Sequence, residues 1–367
     1  MFLVNKPKCF IKSFSFSLGM REYFKNTLPS IEAALEEIFP RSVTSTWIRE
    51  NIGDHPYTFD VELWEKGCSK PFYDLFDRGG KRLRPVLAVL TNQALNGLHP
   101  DIYKFSAIPE IIHTATLIHD DMEDESQDRR GAPAIHHIHG VPISINTGGF
   151  LLHYPRLIIQ NSNLDDHKKV QLYHLVDNEL TKLHIGQAMD IYWSQQKDYE
   201  IQLGEYRQMS AYKTGALLSV AVKMGAILAN ASPMTLSKLE KVAIATGIAF
   251  QIKDDILNVK PTDEWGKESG EDITEGKLTY LVSATFNSAK KSDRGKLKEI
   301  LLAGTKDRTE IDRAVRIMEK YKAFTRAEKY AKRLVRKAKT AVMEALPETD
   351  FRRIYLEILD YAVARKK

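Results

Sequence analysis

Residues 113–124 are His113-Thr114-Ala115-Thr116-Leu117-Ile118-His119-Asp120-Asp121-Met122-Glu123-Asp124, an apolar helical segment that ends in four carboxylates. A second acidic stretch has the same character and is Phe250-Gln251-Ile252-Lys253-Asp254-Asp255-Ile256-Leu257-Asn258. Asp120 and Asp124 share one helix face, because side chains four positions apart lie together. Desolvating clustered carboxylates without positive partners is strongly unfavourable. We therefore expect positive charge at both stretches, and hard oxygen ligands of this kind suit Mg²⁺ shared with phosphate oxygens.

Four basic motifs accompany the acidic stretches. In chain order they are Gly79-Gly80-Lys81-Arg82-Leu83-Arg84-Pro85, Arg129-Arg130-Gly131, Lys213-Thr214-Gly215 and Gly266-Lys267-Glu268-Ser269-Gly270-Glu271-Asp272-Ile273-Thr274-Glu275-Gly276-Lys277. One acidic stretch alone would more often be a solvated helix end. Acids suited to metal together with bases suited to phosphate indicate diphosphate chemistry. The first motif lacks the GxxxxGK spacing of a nucleotide P-loop, which argues against that alternative.

The composition is that of a globular protein in a reducing compartment. The chain has 367 residues, of which 43% are hydrophobic and 28% are charged, with a net charge of +5. Its basic residues are mostly interspersed with acids and do not alternate with aromatics, so we expect no nucleic-acid partner. Cys9 and Cys68 are too few for a disulfide framework or a zinc site.

Helical periodicity dominates the chain and predicts an all-α, single-domain helical bundle with a central active-site cavity. The predicted helices cover 22–39, a segment after Pro85, 109–125, a segment from Pro142, 167–197, 199–230, 234–260, 277–289, 308–345 and 349–365. Residues 129–139 and 261–274 are expected to be loops. The most apolar window, Gly215 to Asn230, is short and contains Lys223, so we expect no transmembrane segment.

In this order the motifs resemble those of the trans-isoprenyl (polyprenyl) diphosphate synthases, and most closely the geranylgeranyl diphosphate synthases. The resemblance extends from about Gly79 to Thr279 and includes Gly186-Gln187 with Asp190. It implies an isoprenoid-synthase domain over residues 22–367 and a homodimer. It also implies Mg²⁺-dependent, head-to-tail condensation of isopentenyl diphosphate with an allylic diphosphate.

The resemblance implies a role for each matching residue. Three Mg²⁺ ions would be bound by Asp120, Asp124, Asp254 and Asp255, supported by Asp121, and Lys213 would join the first three aspartates as catalytic. The allylic diphosphate would be bound by Arg129, Lys213, Thr214, Gln251, Lys267 and Lys277. Isopentenyl diphosphate must bind without ionising, so it needs cations rather than metal, and its residues would be Lys81, Arg84, His113 and Arg130. His113 lies two helical turns before Asp120 on the same face.

Product length depends on the helix that bears Asp120, because a growing chain extends along it. One turn before the motif stand Ala115 and Thr116, both small, where farnesyl-length enzymes of the family carry bulky aromatics. His184 lies two residues before Gly186. This position resembles the one that forms a deeper floor of the product channel in the eukaryotic geranylgeranyl enzymes, and a histidine buried in the core is the alternative. We expect geranylgeranyl diphosphate, with longer polyprenyl products as the alternative.

Two further functions are alternatives, and the sequence departs from the family pattern at two places. A class I terpene cyclase would need no second diphosphate pocket, and a non-catalytic synthase subunit would usually lack acidic-motif residues. Asn258 stands where many members carry Asp, and the sequence after Asn146 matches the geranylgeranyl types only loosely.

Residues 1–21 are basic and serine-containing, with no acid before Glu22. They form either a targeting segment or a disordered N-terminal segment. We expect an intracellular protein, with the cytoplasm favoured and the mitochondrion or plastid as the alternative.

Overall fold

The computed structural model describes residues 18–196, 200–260 and 270–364. Over these ranges the regular structure is helical apart from one two-stranded ladder, so the all-α prediction is confirmed. The described chain forms two compact units. The first comprises the residues up to Val176 together with Lys223–Ala231, and the second comprises Asp177–Val222 and the residues from Ser232 onward. The extent of the catalytic domain, residues 22–367, stays a prediction.

The first unit is built around two long helices whose apolar faces are buried against each other. These are α6 and α8, and α6 also packs against α1 and α5. The elements of this unit are α1 (Leu18–Ile38), α2 (Ser45–Asn51), α3 (Glu62–Trp64), α4 (Lys70–Phe76), α5 (Leu83–Ala94), α6 (Ile102–Glu123), β1 (Asp128–Arg129), β2 (Ala132–Pro133), α7 (Ile135–His139), α8 (Val141–Gln160) and the beginning of α9 (Asp166–Gln195). A π-helical turn, Glu65–Ser69, joins α3 to α4.

The second unit has α12 at its centre, and α12 packs mainly against α17 and a second π-helical turn. This turn, Ala211–Gly215, joins α10 to α11. The elements after α9 are α10 (Leu203–Ser210), α11 (Ala216–Leu228, ending in the first unit), α12 (Pro233–Val259), α13 (Glu271–Thr274), α14 (Tyr280–Phe286), α15 (Lys291–Ala303), α16 (Arg308–Lys320), α17 (Ala323–Ala345) and α18 (Asp350–Ala364).

Four predictions of local structure are wrong. The loop predicted over 261–274 ends in a short helix, α13. The single helix predicted over 308–345 is two helices, because Lys322 adopts a left-handed backbone conformation between α16 and α17. The polar loop predicted over 129–139 contains part of the ladder and α7. The segment predicted to be helical from residue 199 begins its helix at Leu203 and includes a π-helical turn. Residues 1–17 of the predicted N-terminal segment lie outside the described residues.

In the part of the chain that the structure describes, one stretch is long and apolar enough to cross a membrane. This stretch is Leu203–Leu228, and 72% of its most apolar window is buried inside the protein. The core helix of a globular protein passes the same test of length and composition.

Within the first unit, α5 and the end of α11 approach each other at a glycine. A Cβ atom added at Gly225 would lie under 3.0 Å from the carbonyl oxygen of Ala88. Asn92 Nδ2 donates to the carbonyl oxygen of Gly225 at 3.0 Å and joins the two helices at the same point. The contact involves main-chain atoms on both sides, so neither helix can relieve an added methyl group by a side-chain rotation.

We expect Gly225→Ala to lower the free energy of unfolding by about 1–3 kcal/mol, because the added methyl group overpacks this contact. The matched control is Gly295→Ala in α15, where no atom lies within 4 Å of the added Cβ. That control should raise the unfolding free energy by about 0.5–1 kcal/mol, since alanine is the better helix former. Denaturant unfolding of both variants measures the difference, and equal stabilities would show that the two helices are not in tight contact.

Candidate active site

The first acidic stretch occupies the C-terminal end of α6. Asp120 and Asp121 lie in the last turn, and Asp124 follows the helix, with its N–H donating to the Asp120 carbonyl at 2.9 Å. A helix C-terminus carries partial negative charge, so carboxylates placed there depend on nearby cations. The side chain of Asp121 is fully buried, whereas Asp120 is 23% exposed.

Arg129 is the cation that the protein places against this helix end. Its Nε donates to Asp121 Oδ1 at 2.6 Å, and its Nη2 lies 3.4 Å from Asp120 Oδ2. Burial alone would lower the pKa of Arg129, but the hydrogen bond and negative charge of Asp121 outweigh it and raise that pKa. The charge of Asp121 is therefore compensated within the protein, and its supporting role at a metal site stays a prediction.

A two-residue hairpin presents Arg129 and Arg130. Arg129 in β1 pairs with Ala132 in β2, and the turn residues Arg130 and Gly131 both have positive φ, 54° and 75°. Turns of this kind match the twist of the flanking strands. Arg130 Nη1 donates back to the carbonyl oxygen of Leu75 at 3.2 Å and to that of Gly79.

Sequence analysis missed Arg78, which binds this hairpin. Its Nη1 donates to the carbonyl oxygens of Arg129 and Pro133, each at 2.9 Å. Arg78 directly precedes Gly79 in the chain, but nothing in that position reveals that its partners lie about fifty residues away, as the sequence separations of 51 and 55 show.

The predicted isopentenyl diphosphate residues lie in a field of excess positive charge. Burial, and then the charges of Arg84 and Arg130, hold the pKa of His113 well below its ordinary value of 6.5. Burial lowers the pKa of Arg130 to about 10, and repulsion from neighbouring arginines adds to this against the attraction of Glu110. Three of the four predicted residues thus share one cationic cluster. Lys81, the fourth predicted residue, lies three positions before Arg84 in the same motif and is part-buried.

Arg82 has a different role in the same motif. It is buried, adopts a left-handed backbone conformation, and its Nη1 donates to Glu110 Oε1 at 2.8 Å. Its guanidinium also lies over the ring of Phe76, 3.6 Å from the centroid. Its Nη2 donates to the Phe76 carbonyl oxygen at 2.5 Å, so this buried arginine connects the start of α5 to α4 and α6.

In the second unit, the two aspartates of the second motif point into different surroundings. Asp254 is part-exposed, whereas Asp255 is buried. Asp255 Oδ2 accepts hydrogen bonds from the Tyr206 hydroxyl at 2.7 Å and the Tyr280 N–H at 2.8 Å. Its Oδ1 accepts from Gln251 Nε2 at 3.3 Å, and burial raises its pKa to about 6. Asp255 thus connects α12 to α10 and α14, and its metal-binding role stays a prediction.

Sequence analysis also missed Tyr206. Its hydroxyl group, like the Gln251 amide, donates a side-chain hydrogen bond to the buried Asp255 carboxylate. Asn258, which departs from the family pattern, accepts from the N–H of Asp272 at 3.1 Å and so binds the beginning of α13. Asp255 and Asn258 of the second acidic motif thus both bind atoms of the protein.

The predicted allylic residues Lys213 and Thr214 lie in the π-helical turn. Lys213 Nζ donates to Asp190 Oδ2 at 2.6 Å, and Thr214 Oγ1 donates to Gln251 Oε1 at 2.9 Å. A Cβ atom at Gly186 would lie under 3.0 Å from the Lys213 main-chain nitrogen. Gly186 is therefore the residue that lets α9 approach the turn, and π-helical turns are frequent at functional sites.

The remaining predicted residues have varied positions. Lys277 forms an ion pair with Glu275 at 2.6 Å, and Lys267 lies outside the described residues. Ala115 is fully buried in α6, and Thr116 beside it is part-buried. His184 is exposed on α9 in the single chain. The influence of these last three positions on chain length stays a prediction.

The carboxylates fit Mg²⁺ that is shared with a ligand. Among the residues that the structure describes, no group of three or more His, Cys, Asp or Glu side chains is arranged as a complete metal site. Mg²⁺ at diphosphate sites is usually bound by one or two carboxylates, with water and phosphate oxygens completing the octahedron. Asp120 and Asp254 are part-exposed oxygen donors of this kind.

Comparison with known proteins gives the family. The family model described as polyprenyl synthetase matches residues 65–318, more than half of the chain. The chain belongs to the polyprenyl synthetase family. This confirms that the protein is a prenyltransferase of the trans-prenyl diphosphate synthase type.

Individual relatives agree with this assignment. The polyprenyl synthetase is 36% identical to a short chain isoprenyl diphosphate synthase of Methanothermobacter thermautotrophicus, covering 80% of this chain and 88% of the relative. It is 33% identical to a geranylgeranyl diphosphate synthase of Sulfolobus acidocaldarius, covering 85% and 91%. Its structure is similar to that of geranylgeranyl pyrophosphate synthetase from Pyrococcus horikoshii, with a TM-score of 0.81, 25% identity, and coverage of 95% and 98%.

The His113 environment leads to a pH prediction for the polyprenyl synthetase. We expect the His113 ring to be neutral at pH 6.5 in the substrate-free protein, because burial and the surrounding arginines disfavour its charged form. A bound diphosphate supplies negative charge and should raise this pKa. Histidine NMR with and without inorganic diphosphate, assigned with His113→Gln, measures the change. A ring that titrates near 6.5 in both states would contradict the cationic cluster.

Proposed function

We propose that this polyprenyl synthetase condenses isopentenyl diphosphate with an allylic diphosphate in a Mg²⁺-dependent reaction and forms geranylgeranyl diphosphate. One observation carries the proposal. The first unit contains two chemically different settings for a diphosphate: the carboxylates at the end of α6, and the cationic cluster around His113. A reaction that ionises one diphosphate and leaves the other intact needs this difference.

The allylic substrate reacts by losing its diphosphate, which leaves a delocalised carbocation. The barrier lies in charge separation, so stabilising the departing anion is the main catalytic task. Bound Mg²⁺ supplies Lewis-acid stabilisation of that anion. Asp120, Asp124 and Asp254 would hold the ions, and Arg129 and Lys213 would neutralise the remaining phosphate charge.

Isopentenyl diphosphate would bind in the cationic cluster. Arg84 and Arg130 provide charge without a metal, so the diphosphate is held but not activated as a leaving group. The neutral His113 ring would offer a hydrogen bond without adding to the repulsion among the arginines. The lowered pKa of Arg130 supports this assignment, because burial and then repulsion from neighbouring arginines lower it, and a bound anion would relieve that repulsion.

We expect Asp120→Ala, Asp124→Ala and Asp254→Ala each to reduce kcat on the order of a hundredfold or more, because each removes a carboxylate that binds metal for leaving-group stabilisation. Glu123→Ala is the matched control, since Glu123 is an exposed acid within the same cluster. Steady-state assays over a range of Mg²⁺ concentrations compare the variants.

Two results would count against the mechanism. One is near-normal turnover of Asp120→Ala, and the other is full wild-type activity in excess chelator. A loss for Glu123→Ala as large as that for Asp120→Ala would show that total negative charge, and not specific ligation, is what matters.

The preference for a twenty-carbon product has support from the relatives and from α6. The relative from Sulfolobus acidocaldarius is a geranylgeranyl diphosphate synthase, whereas others are geranylfarnesyl and solanesyl diphosphate synthases, so longer products are the alternative. Ala115 and Thr116 precede the acidic end of α6 by about one helical turn. Two small side chains there would let a growing chain pass beyond fifteen carbons.

We expect Thr116→Phe to shorten the product to fifteen carbons, because an aromatic ring would close the path along α6. Val89→Ile, a change at a buried position of α5, is the control for repacking of the same unit. Chromatography of the extracted products gives the chain lengths. If the wild-type enzyme stops at fifteen carbons, Ala115 and Thr116 do not set the product length.

We also propose that the enzyme acts as a homodimer. On α8, Val141 and Ile145 are exposed apolar side chains one turn apart, 49% and 56% accessible. They lie at the start of α8, where a second copy of the chain could cover them. Light scattering at micromolar concentration should give a dimeric mass, and Ile145→Glu should reduce it. A monomeric wild-type mass would refute the proposal.

A further inference from the structure

Arg78 lies in the turn between α4 and α5 and binds the main chain of the β1–β2 hairpin. Its Nη1 donates to the carbonyl oxygens of Arg129 at 2.9 Å, Pro133 at 2.9 Å and Ala132 at 3.3 Å. A guanidinium remains charged and presents planar donors in fixed directions, which suits several converging carbonyl oxygens. The contact therefore fixes the hairpin by its backbone.

Arg130 makes the reciprocal contact. It projects from the hairpin, and its Nη1 donates to the carbonyl oxygens of Leu75 and Gly79 in the segment that contains Arg78. Gly80 has φ of +145°, and a Cβ there would lie 3.2 Å from Arg130 Nη2. Glycine at this position leaves room for the Arg130 side chain, so the turn and the hairpin are connected in both directions.

The hairpin carries one candidate residue for each substrate. Arg129 contacts the acidic end of α6, and Arg130 belongs to the cationic cluster around His113. We propose that Arg78 is a positioning residue for both diphosphate-binding sets, because it holds the main chain from which Arg129 and Arg130 project. This inference rests on the proposed function.

Two other roles for Arg78 make different predictions. If its positive charge attracted the anionic substrates directly, a lysine would replace it. If it only stabilised the fold, its loss would lower the unfolding midpoint and leave both Michaelis constants unchanged. Positioning requires the fixed directions of a guanidinium, since lysine is a single flexible point charge.

The test uses Arg78→Ala and Arg78→Lys in the full chain, assayed with both substrates at a temperature where each variant is folded. We expect kcat/KM for both substrates to fall roughly ten- to a hundredfold, as small displacements of binding groups do. Arg78→Lys should behave like Arg78→Ala, and added methylguanidinium should partly restore Arg78→Ala. Lys81→Ala, by contrast, should affect mainly the Michaelis constant for isopentenyl diphosphate.

Arg352→Ala is the matched control. Arg352 on α18 also donates to a main-chain carbonyl, that of Leu346 at 3.2 Å, but has no assigned role in substrate binding. We expect Arg352→Ala to leave both kcat/KM values unchanged. This result would show that the loss of an arginine–carbonyl hydrogen bond does not by itself cause the effect of the Arg78 variants. If Arg78→Ala does not fold, Arg78→Lys and Arg78→Gln serve as the test variants.

Several results would overturn the inference. They are wild-type kinetics for Arg78→Lys, an effect of Arg78→Ala on one substrate only, or unchanged kcat/KM in every folded Arg78 variant. An inactive wild-type enzyme with isopentenyl and allylic diphosphates would instead refute the proposed function, so the two failures are distinguishable.

Discussion

The concentration of negative charge at the end of α6 is the constraint on which the surrounding structure depends. The carboxylates lie where the helix dipole is also negative, so their negative charge needs compensation by nearby cations. Arg129 neutralises the buried Asp121 directly. Asp120 is part-exposed, and its Oδ2 lies at a longer distance, 3.4 Å, from the same guanidinium. A divalent cation with phosphate ligands could therefore also balance the negative charge of Asp120.

The position of Arg129 depends on neighbouring structure that does not itself contact the acidic end of α6. A hairpin with two left-handed turn residues brings the arginine back to the helix that precedes it. The hairpin then needs partners for its carbonyl groups, and Arg78 provides them. Gly80, directly before Lys81, allows the close passage of Arg130 and Arg82. The small size of Gly80 is therefore needed by the neighbouring arginines.

In the second unit, close contacts between helices determine the position of a charged side chain, that of Lys213. Lys213 lies in a π-helical turn, and its main chain is approached by Gly186 of α9. A larger residue at 186 would move the helix that bears Asp190, the partner of Lys213. On α12, Gly247 would meet Gly215 of the same turn under 3.0 Å if it carried a Cβ. The small residues of these motifs thus determine where the charged ones lie.

These contacts also explain how much could be predicted from sequence. Helices and acidic motifs depend on neighbours three or four positions apart, so their periodicity is visible in the chain. The division of 308–345 into α16 and α17 was missed because a lysine, not a glycine or proline, adopts the left-handed conformation at 322.

Tyr206 and Arg78 were missed for a different reason, because each binds atoms far away in sequence. Tyr206 donates to a carboxylate 49 positions later, and Arg78 donates to carbonyl groups that any residue type would provide. A carbonyl acceptor leaves no mark on the sequence of the segment that provides it. An arginine that binds the main chain is therefore hard to identify from sequence patterns, even when it stands beside a motif as distinct as Gly79-Gly80-Lys81.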